Sequence, residues 1–229
     1  MSHELRILDD LPEHADHAIT EQVLQAAGWT RCGVGDWAVV LASPSGTLAA
    51  RISPFDPVAP YTCELFRLAA DTAQVPELHA YLDLEGGAVC TVMERLQPVD
   101  PDAGATFFRT LDGRGPEVAK LVRAIDTVLG RARRELTWCG PLDPNPSNVM
   151  RREAGELVLT DPFYADGPHL YASLLTDPML VATAFPEERR RHMFELPLAE
   201  SGPWDPDERQ RMKSALTAAD AQLRAQQSG

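Results

Sequence analysis

PLDPNPSNVMRREAGELVLTDPF, residues 141–163, places an acid at Asp143, a carboxamide at Asn148 and a second acid at Asp161. One loop followed by a short hairpin can bring these three side chains together, because Val149-Met150 and Leu157-Val158-Leu159 are apolar runs separated by a turn at Ala154-Gly155. Carboxylate and carboxamide oxygens are hard ligands that suit Mg²⁺, an ion commonly held by one or two protein groups together with substrate phosphates. The spacing alone is not decisive: Asp and Asn between prolines also form plain Asx turns. What sharpens it is the order, a loop and then a strand, turn and strand that end on Asp161.

Upstream the pattern is helix, hairpin, helix, hairpin. Residues 11–28 carry Ala18, Ile19, Val23, Leu24 and Ala27 at near-helical spacing, closed by Gly28. WAVVLASPSGTLAARI, 37–52, reads as two strands around Ser-Pro-Ser-Gly. YTCELFRLAAD, 61–71, predicts a short helix, and HAYLDLEGGAVCTVME, 79–94, predicts two strands joined at Glu85-Gly86-Gly87. QPVDPDAGA, 97–105, is rich in Pro, Asp and Gly and reads as a linker. Beyond it, 116–135 carries a helical stripe of Val118, Leu121, Val122, Ile125, Val128 and Leu129, with Pro116 in its first turn, and a polar helix closes the chain from about 206 to 226.

The 229 residues hold 21 Lys plus Arg against 34 Asp plus Glu, a net charge of −13, which argues against a nucleic-acid partner recognised through its phosphates. No run approaches the roughly 18–20 apolar residues of a membrane helix, and the acidic start MSHELRILDDLPEH has no signal-like apolar region after it. The expectation is a cytoplasmic protein with no membrane partner. Cys32, Cys63, Cys90 and Cys139 are scattered and read as reduced core thiols. His14 and His17 lack a third ligand in the sequence and read as surface groups, as does the Arg run of EERRRHMFE, 187–195, as a solvated helical face. Trp29, Trp37, Trp138 and Trp204 read as packing residues.

Taken together, 141–163 resembles the catalytic loop and metal-binding segment of the protein-kinase-like and aminoglycoside-phosphotransferase-like superfamily, where D-x-x-x-x-N precedes D-F-G; here DPF stands in its place. The likeness extends upstream. GVGDWAVV, 33–40, resembles the glycine-rich phosphate loop with Ala38 at the third glycine, and LAARI, 48–52, resembles the V-A-I-K strand with Arg51 in place of Lys. Glu64 lies on the next helix, and TVMERL, 91–96, resembles the hinge that meets adenine. The match covers roughly residues 30–165. It implies an α+β, two-lobed protein-kinase-like fold, with an antiparallel sheet lobe over 1–97 and a shortened, mainly helical lobe over 98–229.

The resemblance implies ATP and Mg²⁺ as cofactors and transfer of the γ-phosphate to a hydroxyl on a small molecule or protein. It places Asp143, Arg51, Glu64 and Asn145 in the catalytic machinery, with Arg51 clamping phosphate against Glu64. Gly33, Gly35, Val40, Arg51, Met93, Glu94 and Leu96 would contact nucleotide, and Asn148 and Asp161 would hold the metal. Several positions depart from the pattern: Arg51 replaces Lys, Pro141 replaces a His, Asn145 replaces a Lys or His, and the only lysines, Lys120 and Lys213, lie after the linker. A guanidinium pairs bidentately and is bulkier than an ammonium, so the exchange is not conservative. Three readings stay open: an active phosphotransferase, a silent pseudokinase that binds nucleotide or a partner, and a plain α+β protein.

Overall fold

Asp16 accepts a hydrogen bond from the Ile19 N–H and so caps the first helix, α1 (His17–Ala26), satisfying an amide that has no partner inside the helix. The computed structural model describes residues 3–197 and 205–227. After α1 the chain enters a five-stranded antiparallel sheet of β1 (Thr30–Val34), β2 (Val39–Ala42), β3 (Leu48–Ser53), β4 (Leu78–Asp83) and β5 (Val89–Glu94), in the spatial order β1-β2-β3-β5-β4. Between β3 and β4 lies α2 (Ala59–Leu68), followed by a 3₁₀ turn at Ala70–Thr72. Both expected hairpins are present. The strand β1 was not foreseen, because Thr-Arg-Cys-Gly-Val is exposed along its whole length and carries no apolar alternation.

The expected linker is a correction. Gln97–Pro98 form a two-residue strand, β6, and a helix, α3 (Pro101–Gly113), starts inside the Pro-rich stretch. Pro101 sits at the first helical position, where its missing N–H costs nothing, and Asp100 accepts from the Asp102 N–H. The same residues that punctuate a loop here start a helix. The next helix, α4 (Ala119–Glu135), buries Leu121, Val122, Ile125 and Val128 as its stripe requires, but begins after Pro116.

Two small antiparallel pairings then organise 139–165. β7 (Cys139–Leu142) pairs with β10 (Phe163–Ala165), while β6 pairs with β8 (Val149–Arg151), which pairs in turn with β9 (Leu157–Leu159). The helices α5 (Gly167–Thr176), α6 (Pro178–Ala184) and α7 (Pro206–Gln227) complete the chain. No helix among the described residues is long and apolar enough to cross a membrane.

There are two apolar cores. One lies between α1 and the sheet and contains Leu24, Trp29, Leu41, Leu48, Ala50, Ile52, Cys90 and Val92. The larger runs from Phe55, Phe66 and Met93 through α3, α4 and α5 to Met212 and Leu216 of α7. Trp29 and Trp138 are buried as packing residues, Trp37 is half-buried, and Trp204 lies outside the described residues. Cys63, Cys90 and Cys139 are buried free thiols; Cys32 is exposed on β1, contrary to its expected place in the core.

Candidate nucleotide-binding cleft

Strand alternation decides which side chains reach the cleft. Leu48, Ala50 and Ile52 of β3 point into the core under α1, so Ala49 and Arg51 point to the other face of the sheet. Register brings Val40 opposite Arg51 and Met93 opposite Ala49. These four side chains, the turn from Cys32 to Ala38, the stretch Met93–Leu96, and Ser147, Asn148, Met150, Thr160 and Asp161 line one cleft of about 500 Å³. That is within the few hundred Å³ typical of small-molecule sites. Of the residues named from sequence, Gly33, Gly35, Val40, Arg51, Met93, Glu94, Leu96, Asn148 and Asp161 all line it, whereas Asp143, Asn145 and Glu64 do not.

The turn at the cleft mouth closes with the Gly35 N–H donating to the Ala38 carbonyl at 2.9 Å. Neither Gly33 nor Gly35 has a positive φ, and a Cβ at Gly35 would meet no atom within 4 Å. Protein packing therefore does not require glycine at Gly35. The Gly35 N–H is taken by the turn, so what the bare backbone offers at the cleft mouth is close approach for a ligand rather than a free amide.

Below, the loop is built from short-range polar contacts. The Asp143 carboxylate accepts from the Asn145 N–H, and Asn145 Oδ1 accepts from both the N–H and the hydroxyl of Ser147. These are the Asx turns expected between prolines, so both groups shape the loop. Asn148 closes a 3₁₀ turn by donating its N–H to the Asn145 carbonyl, and its own carbonyl accepts from the Thr160 N–H at 2.8 Å and hydroxyl at 3.0 Å. The Asp143 N–H donates to the Pro162 carbonyl at 2.9 Å. Thr160 and Pro162 flank Asp161, so the loop is fastened on both sides of the second acid. On the outer side α3 presses against the loop at Gly104, where a Cβ would come within 2.4 Å of the Pro146 carbonyl oxygen.

Arg51 takes a partner other than the one expected. Its Nη1 donates to Asp56 Oδ2 at 2.7 Å, and Asp56 Oδ1 accepts from the N–H groups of Val58 and Ala59 at the start of α2. Glu64 instead pairs with Arg131 of α4. The reason is the helix phase: α2 buries Ala59, Cys63, Leu65 and Phe66, and Glu64 is turned toward α4. Burial pulls against the Arg51 charge, but Asp56 and then Asp161 more than offset it, so its pKa is raised. Asp161 is pushed up to about 6 by burial first, with Asp56 and Asp143 adding to the rise and Arg51 opposing it. Asp56 and Asp161 both act on this one guanidinium, and Asp143 adds to the negative charge felt by Asp161.

A divalent cation suits that imbalance. Asn148 and Asp161 supply hard oxygen atoms, and both line the cleft. The Glu94 side chain, by contrast, is taken: Arg152 donates to it through Nε and Nη2, and it also accepts from the Glu77 N–H. The N–H groups of Glu94 and Arg95 donate to the Glu77 and Thr47 carbonyls, which leaves the Leu96 end of the stretch to meet a ligand.

Sequence reasoning missed Asp56, Arg152 and Gly104. Asp56 had a usable signal, an Asp just before a helix that opens Ala-Pro, as helix-start residues do. Arg152 and Gly104 act through segments far away in the chain and carry no local signal.

No family model matches the chain, and no curated protein matches it by sequence. Among solved structures, a double mutant of the Mycobacterium tuberculosis PknI kinase domain is similar with a TM-score of 0.28 and 16% identity, over 84% of this chain and 96% of that one. A further crystal structure of the M. tuberculosis PknI kinase domain gives a TM-score of 0.27 and 20% identity over 79% of each chain. The likeness to protein kinase domains is weak, and a TM-score this low carries no weight for the chemistry.

Proposed function

We propose that this chain is a small kinase-like phosphotransferase that binds MgATP in the cleft and moves the γ-phosphate to an acceptor hydroxyl. The observation that carries the reading is the convergence of the Gly33–Gly35 turn, Arg51, Met93–Leu96, Asn148 and Asp161, from separate stretches of chain, on one cleft. The sheet-bearing residues 1–97 and the largely helical 98–229 form its two walls. Adenine packs against Val40, Ala49 and Met93 and meets the backbone near Leu96. The bare backbone of the Gly33–Gly35 turn lets phosphate approach closely, and Arg51, oriented by Asp56 rather than Glu64, adds a fixed positive charge.

Asn148 and Asp161 are the residues that would hold Mg²⁺, which when bound neutralises phosphate charge. Asp143 orients the acceptor hydroxyl and accepts its proton, while Asn145 keeps the loop in the shape that presents Asp143. Phosphoryl transfer needs chiefly positioning and charge stabilisation, and each of these residues supplies one or the other.

The commitment of Arg51 to Asp56 also favours a second reading, a nucleotide-binding module without turnover, since a clamp against the α2 carboxylate is absent. Calorimetry with MgATP, followed by measurement of ATP turnover, separates the two. Saturable binding that is lost in Asp161→Asn, together with turnover, supports the phosphotransferase. Binding without turnover selects the silent module, and no binding removes both.

A further inference from the structure

We infer that His17, His192 and Glu195 form a Zn²⁺ site outside the cleft. Each residue offers one ligand atom, and these atoms all lie within 4.8 Å of one another. His17 Nε2 is 3.3 Å from Glu195 Oε2, and His192 Nδ1 is 3.0 Å from Glu195 Oε1. Ligands bound to Zn²⁺ at about 2.0–2.2 Å in a tetrahedron stand roughly 3.3–3.5 Å apart, so the three ligand atoms, now within 4.8 Å of one another, close by at most about 1.5 Å to receive the ion. None of the three lines the nucleotide cleft.

Two further observations point to a ligand. The two imidazoles are largely buried, with side-chain exposures of 16% and 12%, and meet edge to face at 4.8 Å. On the far side of each ring from Glu195, His17 Nδ1 and His192 Nε2 are buried without a hydrogen bond, so neither nitrogen that would face away from the ion is committed to another partner. The protein has also made room for the second ring: Gly86, at φ +73°, approaches it so closely that a Cβ would fall 2.4 Å from His192 Cδ2.

Imidazole nitrogen with one carboxylate favours zinc over magnesium, which prefers oxygen alone. Behind His192, Asp16 Oδ2 lies 3.9 Å from Nε2, where a small movement gives the carboxylate–histidine–metal arrangement that orients a ligating ring. A fourth position is left for water. The site would fasten the segment after α6 to α1 and to the β4–β5 turn, where Arg191 pairs with Glu85 and a Cβ on Gly87 would overlap the Arg189 carbonyl. The reading of 187–195 as a solvated helical face is accordingly corrected: Arg190 is 4% exposed and pairs with Asp220 of α7, and Met193 is fully buried.

The test is Zn²⁺ binding to the full chain, freed of metal with a chelator, in competition with a chromophoric zinc indicator and with excess Mg²⁺ present. One equivalent is expected to bind, and His17→Gln, His192→Gln and Glu195→Gln should each weaken it by more than the roughly 10- to 100-fold that outer contacts cost. Asp16→Asn, which keeps the helix cap, should fall within that 10- to 100-fold range, and His169→Gln should leave affinity unchanged. X-ray absorption of the zinc-loaded wild type is expected to show two imidazoles, a readout independent of whether any variant folds. Fewer than two imidazoles, or wild-type affinity no greater than that of His192→Gln, would overturn the site.

Discussion

Asp161 ties the electrostatics of single residues to the pH behaviour of the whole site. Its pKa is raised from 3.8 to about 6, chiefly by burial. Between those values the folded state holds a proton that the unfolded chain has released, so this group's stabilising contribution is complete below pH 3.8 and is lost as pH rises through about 6. Mg²⁺ needs the ionised form, so Mg²⁺-dependent nucleotide binding should tighten by up to about tenfold per pH unit on approaching 6 and level off above it. Asp161→Asn should abolish that dependence in calorimetry and raise Tm by a few °C at pH 7.5, with little gain at pH 4. Arg51 and Asp56 make a second residue-scale case. Their side chains are 21% and 3% exposed, and removing one partner of a largely buried pair typically costs about 3–5 kcal/mol. Asp56→Ala should sit near the low end, because Arg51 retains contact with water; Asp56→Asn, which keeps the acceptor for the Val58 and Ala59 N–H groups, should cost less in chemical denaturation. Arg51→Lys, lacking the fork that reaches Asp56 and phosphate together, should lower turnover. A gain of activity from a silent wild type would instead identify a decayed kinase.

At the scale of elements, the contact between α3 and the loop at 143–148 sets where Asn148 sits. A Cβ at Gly104 would reach the Pro146 carbonyl at 2.4 Å, and backbone must yield. Gly104→Ala should therefore destabilise by about 1–3 kcal/mol, as overpacking does, and weaken MgATP binding beyond what the loss of stability explains. Gly113→Ala in the same helix meets no atom within 4 Å and has an ordinary φ, so it should be neutral or stabilising by about 0.5–1 kcal/mol. Comparing the two by thermal melts and calorimetry separates helix propensity from the contact. Much at this scale was legible in sequence. The alternation of β3, the nearly continuous buried run of β5, the turn glycines at Gly46 and Gly86 and the stripe of α4 announce themselves within a few residues. The helix α3 was not legible, because Asp-Pro-Asp-Ala-Gly reads equally as a loop and as a helix start, and the burial of Phe107, Phe108 and Leu111 that decides the matter comes from packing.

Across the whole molecule, Arg152 straps β5 to the β8–β9 hairpin. Besides Glu94 it donates to the carbonyls of Ala73 and Val75, so one guanidinium holds the far end of the sheet to the segment that carries Asn148 and Asp161. Hydrogen bonds to charged groups contribute about 1.5–3 kcal/mol, and with Arg152 about a fifth exposed the lower figure applies. Arg152→Ala should lower Tm by several °C, at roughly 2–4 °C per kcal/mol for a chain of this size, with a weaker nucleotide site as the second readout. Conversely, MgATP at 100 times its Kd should add about 2.7 kcal/mol of apparent stability, visible as a concentration-dependent rise in Tm that Asp161→Asn removes.

The amino-acid sequence by itself determined which segments become strand and helix through most of residues 11–165, and which residue types meet the solvent side of the sheet. Both follow from periodicity and turn chemistry, which act over a few residues. It also carried the spacing of Asp143, Asn148 and Asp161, because a short loop and a short hairpin leave few places for them. Only the tertiary structure decided that Arg51 pairs with Asp56 while Glu64 goes to Arg131, that β7 and β10 clamp the loop, and that His17 meets His192. Choosing among several acids for one guanidinium, or bringing together two histidines 175 positions apart, turns on which distant surfaces pack. The competing partners differ by about a kcal/mol or so in local terms, less than the packing that selects between them.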